Sequence, residues 1–313
     1  MTDDQSRSTT VGPTLRLRRF DPLKRMIGLK TNQNPRKYHS SLIFGPSQSG
    51  KTHLLLHLLY LHREIYDIGF AMHGTRDGVE DTKHIIPSVL NQTYSLDRFK
   101  KNCNQLFSSE QEIKEADLDV VTYLDDCTFD RKLMRQEETR ALYMNGRHCN
   151  ADRWMTSQYC MDIPPDLRSQ FQFVFITKQT QLDIRKKIHN YFFGILPEKQ
   201  FYQVLDQCTQ NYEVLVLDRT VTTSSKAEDC LFYYKAPKEI PDYKLFSDQV
   251  WAFNDAALKH RVTLRERANG GGAGNGTSGD SATTADTAGT AGTANIMVEP
   301  PRPEDPNSRE IML

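Results

Sequence analysis

Tyr38–Thr52 reads YHSSLIFGPSQSGKT. Within it, GPSQSGKT at Gly45–Thr52 meets the pattern G-x-x-x-x-G-K-[ST] at every fixed position. A short apolar run, Ser41–Phe44, precedes it, and an apolar, helix-forming run, Thr52–His62, follows. That is the strand–loop–helix setting in which such a motif binds phosphate. The loop Gly45, Pro46, Ser47, Gln48, Ser49, Gly50, Lys51 and Thr52 is therefore the candidate cradle for a nucleoside triphosphate, ATP. Gly45 and Gly50 let the backbone wrap closely, so that amide N–H groups face phosphate oxygens, and the following helix N-terminus adds partial positive charge. Lys51 would reach the β- and γ-phosphates, and the Thr52 hydroxyl would ligate Mg²⁺.

Composition narrows the class. The chain has 313 residues, enough for one large domain or two small ones. Forty basic and forty acidic residues cancel, which excludes a globally basic binder while leaving room for a local basic patch. Mean hydropathy is −0.61, on the polar side. Six cysteines are scattered without a C-x-x-C pair, which reads as neither a disulfide framework nor a zinc site. The N-terminus is polar, and no apolar stretch approaches the length of a membrane span. A soluble intracellular protein without membrane insertion is expected.

Three domains are expected: a basic, partly disordered arm over 1–37, an ATPase domain over 38–267 and a low-complexity disordered tail over 268–313. In the arm, Arg16, Arg18, Arg19, Lys24, Arg25, Lys30, Arg36 and Lys37 stand against a single acid, Asp21, over Thr14–Lys37. Such a run suits either a contact with phosphate backbone or a neighbouring subunit, or a solvated lead-in. Ile68–His73 reads as a second strand, Gly74–Thr93 as a loop and Leu96–Lys114 as a helix. Further strands are predicted at Leu118–Leu124, Asp152–Gln158, Phe171–Thr177 and Tyr212–Asp218, with a small edge strand at Leu231–Tyr234. The rhythm predicts an α/β fold with a mainly parallel sheet flanked by helices. From Asn269 to Val298 the chain is Gly-, Ala- and Thr-rich with no basic or aromatic residue, and cannot bury enough apolar area to fold.

The strand Leu118–Leu124 delivers Asp125 and Asp126 at its C-terminal end, the edge where ligands bind in parallel α/β sheets. Asp125 would hold Mg²⁺ beside Thr52, and Asp126 would polarise the attacking water. Gln158, at the end of the next strand, could orient that water or merely cap the strand. Arg168 falls in a short turn after Ile163–Pro165.

SLIFGPSQSGKT, VVTYLDDC, GRHCNADRWMTSQY, DIPPDLRSQFQFVFI and TQNYEVLVLD occur in that order between Tyr38 and Asp218. Together they resemble the virion packaging ATPases of large DNA viruses, the poxvirus-type branch of the FtsK–HerA superfamily, with relatives in virophages and Polinton-like elements. The resemblance implies a RecA-like P-loop core and assembly as a homo-oligomeric ring. It implies pumping of double-stranded DNA, without sequence preference, into a capsid whose capsid or portal proteins would be partners. The place of action would be the host cytoplasm, in a viral factory, or the virion. It makes Gln158 a sensor and Arg168 an arginine acting in trans on a neighbour's ATP, with Arg147 of GRH as the second candidate. Arg76 and Lys83, in the expected loop, are candidate DNA contacts. Two other readings compete: a small-molecule kinase, which should show an arginine-rich lid, and a slowly hydrolysing switch, which in a GTPase should show an N-K-x-D segment. No N-K-x-D segment is present.

Overall fold

In the computed structural model, which describes residues 14–27, 37–224, 226–270 and 308–312, the strand Ser40–Phe44 is buried at every position. Ten strands share its sheet: β1 (Thr14–Arg19), β2 (Ser40–Phe44), β3 (Ile68–His73), β4 (Asn91–Thr93), β5 (Val120–Asp125), β6 (Ala151–Ser157), β7 (Phe173–Ile176), β8 (Val214–Asp218), β9 (Leu231–Tyr234) and β10 (Ser308–Met312). Their order across the sheet is β10-β1-β9-β8-β7-β2-β6-β5-β3-β4. The block β7-β2-β6-β5-β3-β4 is parallel throughout, while β10·β1, β7·β8 and β8·β9 are antiparallel. The fold is thus a RecA-like P-loop sheet, mainly parallel and covered by helices.

Alternation along the central strand shows how both faces are filled. Leu42 and Phe44 enter one hydrophobic core, and Ile43 between them enters the other. The helix Lys51–Leu61 presses Leu54, Leu55, Leu58 and Leu59 into the second core. The helix Leu96–Ser108 contributes Phe99, Cys103 and Leu106 to the first. Each such side chain contributes about 1.5–3 kcal/mol when fully buried. None of the six cysteines is in a disulfide, and all are buried. Among the described residues, no helix is long and apolar enough to cross a membrane.

Because β2, β6, β5 and β3 run in one direction, the residues following each gather at one sheet edge. β6 lies between the strand of the phosphate loop and the strand of the acid pair. Loop, acids and Gln158 are therefore neighbours for a topological reason.

Part of the GRHCNADRWMTSQY segment serves the fold. Arg153 is buried and donates from Nη1 to the Ala151 carbonyl at 2.6 Å. A Cβ on Gly146 would stand 2.7 Å from Arg153 Cδ, so the glycine makes room for that side chain. Asn150 turns the chain into β6 in the left-handed region, φ 50°.

Several expectations are corrected. Gly74–Thr93 is not a loop: it holds the helix Arg76–Thr82, capped by the Thr75 hydroxyl, and the strand β4. Thr14–Arg19 is not an arm but a strand held between β9 and β10, with Leu15 and Leu17 turned inward and the arginines outward. Its cations are engaged locally, Arg18 with Asp229 at 3.4 Å and Arg25 with Asp218 at 2.6 Å. Residues 308–312, expected to be tail, form β10 and pair with β1 in the register Leu15↔Ile311. Alternation of apolar and charged residues, rather than net charge, decides β1. The compositional readings of residues 1–12 and 271–307 lie outside the described residues.

Two compact units divide the chain, residues 1–254 with 307–313, and residues 255–306. In the second, the described residues 255–270 belong to the helix Asp248–Gly270.

Candidate functional site: a phosphate loop facing paired acids

β2 ends at Phe44 and the chain turns at once into the loop. The Gly45 amide donates to the Ser157 carbonyl at 3.2 Å, and a Cβ on Gly45 would fall 1.7 Å from Thr177 Oγ1. No other residue fits there. Gly50 precedes the helix at φ 85°, a left-handed conformation that also calls for glycine. Lys51 is only 4 % exposed; its ammonium donates to the Pro46 carbonyl at 3.1 Å and lies 4.0 Å from Asp126 Oδ1. Burial pushes the Lys51 pKa below the ordinary lysine value, and the charges of Asp126 and Asp125 oppose that shift.

Three buried polar atoms near the loop lack a hydrogen-bond partner: Ser49 Oγ, Thr177 Oγ1 and Asp126 Oδ1. Orphaned groups of this kind are costly, and native proteins keep few of them. Two hydroxyl donors, the Lys51 ammonium and a helix N-terminus fit the oxygens of a polyphosphate. The set of donors fits the group.

Thr52 and Asp125 are the residues that could hold a metal ion. Thr52 Oγ1 lies 3.5 and 3.4 Å from the two carboxylate oxygens of Asp125. A hydroxyl and a carboxylate so close together are hard oxygen donors of the kind that could hold Mg²⁺. Asp125 Oδ1 accepts from Thr156 Oγ1 at 2.7 Å, and Oδ2 faces His73 Nδ1 at 3.5 Å.

Asp126 follows at φ 50°, with its amide donating to Thr156 Oγ1 at 2.8 Å. This left-handed turn swings its carboxylate towards Lys51 rather than along the strand. Gln158, exposed just past β6, donates from Nε2 to Asp126 Oδ2 at 3.2 Å. Lys51, Thr52, Asp125, Asp126 and Gln158 thus meet in one crevice.

The arginines do not join them. Phe173, which opens β7, pairs with Ser41 near the start of β2, so the turn Pro165–Arg168 lies towards the opposite edge of the sheet. Arg168 is 5 % exposed, with its guanidinium 3.8 Å from the Tyr191 ring centroid. Arg147 precedes β6 at that same edge and is exposed. Arg76 opens a helix that also carries Asp77, Glu80 and Asp81, and Lys83 is engaged by Glu80 at 2.8 Å. The net charge there does not favour DNA phosphates, which corrects the expectation for Arg76 and Lys83.

Sequence reasoning missed four contributors. Thr156 and His73 reach Asp125 from strand positions, and Tyr123 reaches His73; the visible signal was polar residues within apolar strands. Tyr212 stands beside Gly50, 75 % exposed and held at φ 62°. It lines a cleft of about 510 Å³ with Ser49, Gly50, His53, Lys235 and Lys238.

No family model matches the chain. It is 31 % identical over 201 residues to the uncharacterized protein 088R of Invertebrate iridescent virus 3, a match spanning 63 % of this chain and 75 % of that protein. The chain belongs to the 088R family. The uncharacterized protein 015R of Frog virus 3 is 28 % identical to this 088R-family chain over 197 residues, 63 % of this chain and 61 % of its own length. Among solved structures, the chain is similar to the genome packaging NTPase B204 of Sulfolobus turreted icosahedral virus 2 in complex with AMPPCP. That likeness has 15 % identity and a TM-score of 0.47, over 64 % of this chain and 98 % of the other.

Proposed function

We propose that this chain is an ATP-hydrolysing motor that drives double-stranded DNA into a viral capsid, working as a ring of identical copies. The observation that carries the reading is the meeting of Lys51, Thr52, Asp125, Asp126 and Gln158 at one sheet edge. The motif series GRH…TSQY…IPPDLR supports the packaging branch, and the relatives 088R and 015R are themselves viral proteins.

Lys51 and the loop amides hold the β- and γ-phosphates. The Thr52 hydroxyl and the Asp125 carboxylate would hold Mg²⁺, which when bound neutralises charge on the phosphate oxygens. Asp126 has one oxygen anchored by Gln158 and the other without a hydrogen-bond partner. The free oxygen takes the proton of the attacking water, and Gln158 orients that water. Lying towards the edge opposite their own phosphate loop, Arg168 and Arg147 can serve only a neighbour's nucleotide. Arg147 could do so as it stands, whereas Arg168 would first leave Tyr191.

Hydrolysis measured with and without double-stranded DNA tests the reading. DNA of any sequence should raise the rate, and binding should weaken steeply with salt. A rate indifferent to DNA would remove the motor.

A further inference from the structure

His73 closes β3 directly beside Asp125 in the sheet register, and its ring is fully enclosed. Nε2 lies 2.9 Å from the Tyr123 hydroxyl and 3.1 Å from Thr82 Oγ1. Nδ1 lies 3.5 Å from Asp125 Oδ2. The neighbours decide which nitrogen carries hydrogen. The Thr82 hydroxyl donates to the Gly78 carbonyl at 2.7 Å and accepts from Asn91 Nδ2 at 3.0 Å. The Tyr123 phenol is buried, and its O–H needs an acceptor. Nε2 is that acceptor, which leaves the hydrogen on Nδ1, aimed at the carboxylate. At 3.5 Å this is a charge contact rather than a formed hydrogen bond, and such contacts tighten once ligand is bound. The helix Arg76–Thr82 is packed against the ring: a Cβ on Gly78 would come 2.7 Å from Nδ1.

We propose that His73 is a positioning residue for Asp125: held by the Tyr123 hydroxyl and packed against the helix Arg76–Thr82, it donates through Nδ1 to the carboxylate and fixes where that carboxylate points. The inference rests on the reading of Asp125 as the metal-holding acid. It also ties that corner to the helix Arg76–Thr82 and, through Asn91, to β4.

Two measurements on the full chain test it. Long-range ¹H–¹⁵N correlation on ¹⁵N-histidine protein reads the tautomer without any metal, with the His73 signals assigned by their loss in His73→Asn. Hydrogen on Nδ1 is expected, moving to Nε2 in Tyr123→Phe; hydrogen on Nε2 in the unaltered protein would overturn the proposal. Mn²⁺ titration with a non-hydrolysable ATP analogue, followed by electron paramagnetic resonance, reads the metal corner. His73→Ala should weaken Mn²⁺ by about 10–100-fold, and His73→Asn, whose amide replaces Nδ1–H, should recover to within about threefold. Metal-free analogue binding should not change in either. If His73→Ala keeps full Mn²⁺ affinity while Asp125→Asn loses it, the inference falls and the nucleotide reading stands. If Asp125→Asn keeps it too, the reading of Asp125 falls first.

Discussion

Thr156 donates to Asp125 at 2.7 Å and, with the same oxygen, accepts the amide of Asp126 at 2.8 Å. One hydroxyl on β6 therefore sets both acids at the end of β5. Thr156→Val keeps the shape and leaves two buried groups unpaired, at about 1–3 kcal/mol each. ATP turnover should drop about 10–100-fold, the range for lost support of a metal ligand. Thr156→Ser should retain most of it. Parallel kcat and Mg²⁺-dependence measurements on the two variants check this, and equal activity of Val and Ser would show the hydroxyl idle.

Binding and chemistry should separate between Lys51 and Asp126. Lys51→Ala should lose ATP binding, read by equilibrium titration; tight binding in that variant would remove the site assignment. Asp126→Asn should bind ATP normally yet hydrolyse it about 10²–10⁴-fold more slowly, the usual contribution of a general base. Lys51→Met should leave ligand-free stability in urea undiminished, since burial already disfavours the ammonium there.

A shared catalytic site predicts complementation. Subunits with Arg168→Ala mixed with Lys51→Ala subunits should recover hydrolysis that neither shows alone, because a trans arginine contributes about 10³–10⁵ in rate where it acts. The same mixture made with Arg147→Ala discriminates the two arginines. Failure of both mixtures would make each arginine structural.

His57 predicts a pH effect on stability unrelated to catalysis. It is 6 % exposed, and burial first, then the nearby His53 and Arg19, pushes its pKa down to about 4. Between the ordinary value of 6.5 and about 4, the unfolded chain binds a proton that folded His57 refuses. Stability therefore falls as pH drops through that window, by about 2 kcal/mol at pH 5. Urea unfolding at pH 7 and pH 5 should show this loss in the unaltered chain and a smaller one in His57→Gln. Identical losses would refute the assignment.

What could be read in advance was what is contiguous. The phosphate loop announces itself because its chemistry lies in eight successive residues, and the acid pair because a strand end marks it. His73 and Thr156 were opaque for the opposite reason: they matter only because β3 and β6 flank β5, an order the chain does not spell out. β1 was misread although its signal was present. Arg16, Arg18 and Arg19 drew attention as charge, while Leu15 and Leu17, two apart, were the pattern that counts. Arg168 fell at a motif position, yet neither its stacking on Tyr191 nor its burial has a local signature.

β1 finds its partners only in β9 and β10, elements encoded very late in the chain. At about 5–20 residues per second, synthesis keeps its edge waiting on the order of tens of seconds. During that interval the strand is a ready template for pairing with another nascent copy, and outward-facing cations are a known deterrent to such pairing. Arg16, Arg18 and Arg19 then act as gatekeepers of a growing chain, keeping the edge open for residues 308–312. Chains arrested before residue 308 should form no β-paired aggregates with these arginines and should form them when the arginines are replaced by threonine.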